Sequence, residues 1–391
     1  MPDTQAAPID TVSTQKAASD RPRLHFLDGI RGITSLYVMW THLALFLPPD
    51  LLFTQPWLDQ ATSWMREGRT AVAVFIVLSG YCLMLPVAFK GLEGVPGGFQ
   101  EYILRRARRI FPPYYAALVL SIVLLFVFRS RLLEVQTFWS SMLPVNVGTV
   151  ISHVLMMHNV NEQWITRIDA PMWSVATEWQ IYFLFALLFL PLFKKSVSAA
   201  LVAALAIGLA PMFFLHRGEG ASPWFGVLFC FGMIGASVCH AGSERWRRFR
   251  SGSVYALWGA SALAAVVLSA GWHLFRARHQ TLLWKGELVE DVLVGMAVMC
   301  AIVWCTLSVQ NGAPNLLVRL LQSRPLLFLG TISYSLYLFH VPLLGAWDMG
   351  IRALGLSGVP AALLYLFGGT AISIGLTYPL YRAFEKPFLT R

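Results

Sequence analysis

The chain is 391 residues long, 57% hydrophobic and only 13% charged, with 14 Trp and a mean hydropathy of +0.60. Soluble domains carry about a quarter charged residues, so this composition excludes an ordinary soluble enzyme and marks an integral membrane protein. The net charge of +10 suggests nucleic acid, but no stretch interleaves aromatic residues with bases as a nucleic-acid surface does, and membrane topology accounts for the charge.

In chain order, residues 1–22 are polar, rich in Ala, Ser, Thr and Gln, and lack an apolar h-region. They read as a disordered cytoplasmic tail and not as a cleaved signal peptide. Residues 23–391 read as one membrane domain. Apolar runs of spanning length recur near 30–47, 71–89, 111–128, 172–192, 197–215, 224–241, 254–273, 288–308, 326–345 and 359–381. The expected fold is therefore all-α: a polytopic membrane protein of about ten transmembrane helices with both termini on one side. Of the 30 Lys and Arg, nineteen fall in loops and tails on the N-terminal side, among them Lys16, Arg21, Arg23 and Arg391; ten fall opposite, with Arg31 counted apart. The positive-inside rule then places both termini in the cytoplasm. The longest non-spanning stretch, 129–171, holds Trp139, His153, His158 and Trp164 and reads as a re-entrant or interfacial helix beside an outer cavity. The five cysteines form neither a CxxC pair nor a disulfide framework, so no metal site is expected.

Chemistry enters these apolar runs at a few places. DGIRGITSLYVMWTH (28–42) carries Asp28, Arg31 and His42. Eleven residues at about 100° each bring Arg31 and His42 within roughly 20° of one another, about 16 Å apart along a helix. Two readings stand: a working stripe, since ionisable groups inside a membrane usually mark function, or two residues snorkelling to opposite interfaces. FIVLSGY (75–81) places Ser79 and Gly80 in a helix, where small residues permit close contact. YILRRARRIFPPYY (102–115) sets Arg106 and Arg109 on one helix face, with Pro112 and Pro113 opening the third span. That pair is either a positive-inside anchor or a cradle for a phosphate-bearing ligand.

PMWSVATEWQIYF (171–183) buries Glu178 beside Trp173, and a lone carboxylate there needs a partner, for which Arg31, His42 or Arg69 are candidates. FLGTISYSLYLFHVPLL (328–344) lines up Tyr334, Tyr337 and His340 as a polar edge suited to a cavity, or as an interfacial aromatic belt. Glu385, after the last span, reads as a partner for basic cytoplasmic loops.

LDGIRGITSLYVMWTH (27–42), FIVLSGY (75–81), RRARRIFPPY (105–114), WSVATEWQIY (173–182) and FLGTISYSLYLFHVPL (328–343) occur together in the order found in the acyltransferase-3 family of bacterial membrane O-acyltransferases, which the chain resembles over nearly its whole length. The resemblance implies a ten-helix enzyme of the cytoplasmic membrane that passes an acyl group, acetyl first of all, from cytosolic acyl-CoA to a hydroxyl of a carbohydrate. Exopolysaccharide, lipopolysaccharide or a glycosylated small molecule would serve as acceptor, with polysaccharide-biosynthesis proteins as partners and no bound cofactor. The family's arginine-ten-residues-histidine element maps onto Arg31 and His42, and its paired arginines onto Arg106 and Arg109. Some members carry an extra extracytoplasmic hydrolase-like domain; no stretch of these 391 residues reads as one. On this reading Arg106, Arg109 and Arg31 hold CoA phosphates. His42 removes the acceptor proton or carries the acyl group, Asp28 or Glu178 orients its imidazole, and Trp173, Tyr334 and His340 meet substrate. A transporter or flippase of lipid-linked sugars is the competing class, although no paired interrupted helices mark inverted repeats.

Overall fold

Backbone groups in a lipid interior find partners only in one another, so long apolar runs close their hydrogen bonds as helices. The computed structural model, which describes residues 24–214, 222–279 and 286–389, is helical throughout and has no strand among those residues. Ten long helices follow the ten apolar runs. They are α1 Phe26–Phe46, α2 Gly68–Phe89, α3 Gly98–Val127, α4 Met172–Lys195 and α5 Val197–Phe214, then α6 Phe225–His240, α7 Gly252–Arg278, α8 Gly286–Gln310, α9 Arg324–Ala353 and α10 Gly358–Phe388. The N-terminal tail, with Lys16, Arg21 and Arg23, and also Arg391 and the end of the fifth run at 215, lie outside the described residues.

Seven of these helices are long and apolar enough to cross a membrane, namely α2, α3, α4, α7, α8, α9 and α10. The number rises to eight if α6 and the segment Glu244–Arg250, bent from it by 95°, count as one broken span. The other helices miss for identifiable reasons. α1 is diluted by Asp28, Arg31 and His42, α6 alone is 16 residues long, and the apolar part of α5 is Val197–Ala210. One expected boundary was wrong. α3 starts at Gly98, so Pro112 and Pro113 lie inside the helix and not at its start, and the arginines belong to the same rigid rod as the span. Membrane helices accept interior proline because neighbouring groups take over the freed backbone carbonyls.

Close approach of backbones fixes how these helices pack. α1 lies against α9 and the short helix Leu316–Leu321 that precedes it, where a side chain at Gly29 would run into the Leu321 carbonyl, one at Gly32 into the Leu326 carbonyl, and one at Gly330 into the Asp28 carbonyl. α2 lies against α6 through Gly80 and Gly232, which face the Phe229 and Val77 carbonyls. The small-residue packing expected of Gly80 is therefore its role, as is common where lipid offers no hydrophobic push between helices. The clash at Gly80 is with backbone, which cannot swing aside. Gly80→Val is accordingly expected to cost more than the usual 1–3 kcal/mol of overpacking and to lower the melting temperature and folded yield in detergent; an unchanged melting temperature would show that α2 and α6 separate freely.

The segment between α3 and α4 folds into short helices, of which Val147–Val154 is closed by a capping box between Asn146 and Thr149. Val147, Ile151 and Val154 project outward from it, as on an interfacial helix, while His153 is buried. The His153 and His158 rings stack at 3.8 Å and 8°. Burial pushes His153 down to about 4 and His158 down to about 3, the latter also lowered by its neighbour, so both are neutral packing groups at cellular pH. Asp169, buried and accepting from Ser121 Oγ at 2.8 Å, is pushed up to about 8 by burial. Trp139 is wholly buried against Gly345 of α9, which ties this segment to the helix carrying His340.

Candidate active site

α1, α2, α3, α4 and α9 enclose a cavity of about 110 Å³. α1, α3 and α9 run one way and α2 and α4 the other, so the lining residues fall into layers. At one end are Arg31, Cys82, Arg106, Arg109 and Tyr182; Ser79, Glu178, Ile110 and Tyr334 form the middle; Val72, Phe75, Ser174, Val175 and Tyr337 form the far end. The cavity thus grades from a basic mouth to an apolar floor, the form of a site for a ligand with an anionic head and an uncharged tail.

Each polar group has a traceable cause. Arg31 is half-buried, donates to Asp28 Oδ1 at 2.7 Å one turn away, and reaches Cys82 Sγ at 2.9 Å across the α1/α2 contact. Asp28 therefore steadies Arg31 and does not touch His42. Arg106 and Arg109, one turn apart on α3, both face the cavity; Arg109 is exposed, and Arg106 Nε is buried with no partner among the described residues. A buried guanidinium N–H without an acceptor is costly, and a phosphate oxygen would satisfy it. Glu178 accepts from the hydroxyls of Ser79 and, at 2.6 Å, Tyr182. Its partners are hydroxyls and not the Arg31, His42 or Arg69 expected from sequence. Arg69 is engaged elsewhere, with Glu287 and Asp291 at the start of α8. Tyr334 lines the middle layer and donates to the Ile110 carbonyl at 3.1 Å. Trp173 packs at a tilt against Phe225, with ring centroids 6.0 Å apart and planes at 35°, and is not among the lining residues. Glu385 accepts from Ser335 N at 3.0 Å and Oγ at 2.5 Å, which makes it a brace between α9 and α10, and it also feels the charge of Arg109 in the basic run of α3.

His42 lies outside the cavity lining, three turns along α1 from Arg31, so the expected single stripe is divided. It meets His340 of α9, with His340 Nε2 and His42 Nδ1 3.0 Å apart. The proton positions follow from the acceptors. His340 Nδ1 is 2.9 Å from the Leu336 carbonyl, which can only accept, so Nδ1 holds the proton and Nε2 is bare. His42 Nδ1, also 3.0 Å from the Val38 carbonyl, must then supply the proton to both neighbours, leaving His42 Nε2 with a free lone pair. Neither Asp28 nor Glu178 orients this imidazole; a second histidine does. Tyr337 stands between the pair and the cavity, its ring 6.1 Å from that of His340.

Ser79, Cys82 and Ser174 were not singled out by sequence reasoning as cavity residues. The available signal was the i, i+3 spacing of Ser79 and Cys82, which puts both on the face of α2 turned to Arg31.

Comparison with known proteins bears on the chemistry. The chain is 22% identical over 345 residues to the peptidoglycan O-acetyltransferase OatA of Listeria monocytogenes, a match covering 81% of this chain and 49% of that protein. It is 24% identical over 340 residues to the putative peptidoglycan O-acetyltransferase YrhL of Bacillus subtilis, covering 81% and 48%. The chain thus spans about half the length of these curated relatives. No solved structure matches. The acyltransferase domain of the acyltransferase-3 family matches residues 24–382, and the chain belongs to that family.

Proposed function

We propose that the chain is a membrane O-acyltransferase that takes an acetyl group from acetyl-CoA and transfers it to a hydroxyl of an envelope carbohydrate. Peptidoglycan is the acceptor in the names of both relatives, and their acetyl chemistry agrees with so small a cavity. The observation that carries the reading is the polarity gradient of the cavity, with three arginines at its mouth and an apolar floor. Arg106 and Arg109 receive CoA phosphates, and Arg31 stands behind them. Glu178, held by two hydroxyls, accepts the amide N–H groups of the CoA arm. The thioester then lies in the outer half of the cavity. When Tyr337 turns aside, His42 Nε2 removes the acceptor's proton as its oxygen attacks the thioester carbon, and the proton passes to the departing thiolate. The Val38 carbonyl and His340 together fix the tautomer of His42.

The direct test is release of CoA thiol by purified protein in proteoliposomes, given acetyl-CoA with and without soluble peptidoglycan fragments. Glycan-dependent release with acetyl appearing on the glycan is expected; movement of glycan across the bilayer with no thiol release would support the transporter reading instead.

We further propose that residues 23–391 form one domain of a bacterial cytoplasmic membrane, crossing it about ten times with the arginine mouth inward. The contacts support the alternation of the spans. Arg69 meets Asp291 near the starts of α2 and α8, and Tyr81 meets Thr306 near their ends, so these helices run parallel. Cysteines placed at Asp59 and Ser357 are expected to react with an impermeant thiol reagent on intact cells, and one at Ala107 only after lysis. Labelling of the Ala107 cysteine in intact cells would reverse the topology.

A further inference from the structure

At the apolar end of the cavity one side chain stands in front of the histidine pair. Tyr337 is buried, lines the cavity, and shares a hydrogen bond of 2.5 Å between its hydroxyl and Ser174 Oγ on α4. The same hydroxyl lies 3.2 Å from the Pro171 carbonyl, so the phenol is tied at its tip to the start of α4. Its ring meets Phe75 of α2 edge to face, centroids 5.8 Å apart and planes at 83°. Three helices therefore join at this point, and the layer they make is continuous with Val72 and Val175. Beyond it lie His340, wholly buried, and His42. Tyr337 both lines the cavity and meets the His340 ring, so it separates the two.

Resting on the acyl-CoA reading above, we propose that Tyr337, braced by Ser174 and Phe75, is the wall that sets acyl length, admitting acetyl donors and rejecting longer straight-chain acyl-CoAs. With the phosphates fixed at Arg106 and Arg109, the thioester sits at a set depth, and every added methylene must be driven into the Tyr337 ring. The wall cannot yield by a small rotation, because the hydroxyl is held on α4 and the ring on α2. The selection acts when the donor seats, before Tyr337 turns aside for transfer. A hydrophobic pocket discriminates by about 10- to 200-fold per methylene.

The test is displacement of radiolabelled acetyl-CoA from purified protein in detergent by unlabelled acetyl-, butyryl- and hexanoyl-CoA, with no acceptor present. The wild type is expected to prefer acetyl-CoA to butyryl-CoA by at least about tenfold. Tyr337→Ala opens the floor toward the histidines and is expected to reduce that preference to within about threefold or to invert it. Tyr337→Phe keeps the ring and its contact with Phe75 but loses the tie to Ser174, and is expected to keep only part of the preference. Phe75→Ala removes the flank of the same wall and is expected to relax the preference if the first variant does not fold. A folded Tyr337→Ala protein with wild-type preference would overturn the proposal, as would a wild type that binds all three thioesters alike. A wild type that binds acetyl-CoA thus tests the wall alone, whereas one that binds no CoA thioester refutes the donor reading itself and the wall with it.

Discussion

His42→Gln is expected to lower acetyl transfer per correctly inserted protein by about 10² to 10⁴, the range over which a positioned general base contributes. Glutamine retains a polar tip of similar reach and can still donate to the Val38 carbonyl, so insertion of α1 and its contact with α9 persist. It cannot take a proton. An interfacial anchor would tolerate the change; a base would not. The companion variant is His340→Phe, which removes one of the two acceptors of the His42 Nδ1 proton while keeping an aromatic ring against Tyr337. Its expected effect is smaller, with a shifted pH profile for turnover, because His42 keeps its lone pair and the Val38 carbonyl but loses the neighbouring imidazole that shares its Nδ1 proton. The measurement is turnover in proteoliposomes across a pH series. A His42→Gln enzyme that keeps more than about a tenth of wild-type turnover removes His42 from the base role, and Glu178 becomes the group to test.

The helices were legible because a membrane span is a local property. About twenty apolar residues in a row announce themselves, and each of the ten runs read from the sequence is a helix. The boundary of α3 was not legible, because proline starts helices in water but is tolerated within them in lipid. In the site, Arg106 and Arg109 could be paired from spacing alone, since i, i+3 residues share a face. The same rule grouped Tyr334, Tyr337 and His340, yet the structure gives them three different situations: a cavity wall, a floor and a partner of His42. That division depends on the register of α9 against α1 and α4. Register is set by contacts such as Gly330 with the Asp28 carbonyl, which no periodicity records. Glu178 was misassigned for the same reason. Its need for a partner followed from burial, but its partner's identity followed from the register of α2 beside α4, which brought Ser79 opposite it. His42 and His340, 298 residues apart, could not have been joined by any local reading.

The paired arginines carry the second large effect. Replacing both Arg106 and Arg109 with Gln is expected to reduce kcat/KM for acetyl-CoA by about 10²-fold or more, since each charge-assisted hydrogen bond contributes about 1.5–3 kcal/mol. The loss should appear as a raised KM for the donor with little change in acceptor dependence, because the CoA phosphates are bound alike before and during transfer. Arg106 is expected to carry the larger share. Its Nε is buried and unpartnered, whereas Arg109 stands exposed at the mouth, where water and salt weaken its pull. Arg108→Gln is the control, being exposed on the same turn and absent from the cavity lining; it removes the same charge from the same face of the membrane. If positive-inside anchoring were the only role of this basic run, all three positions would behave alike and activity would track insertion. Directed phosphate contact predicts instead that Arg108→Gln keeps wild-type donor affinity while the double variant loses it at equal insertion. A double variant with an unchanged KM for acetyl-CoA and an altered dependence on the glycan would move the donor site away from α3.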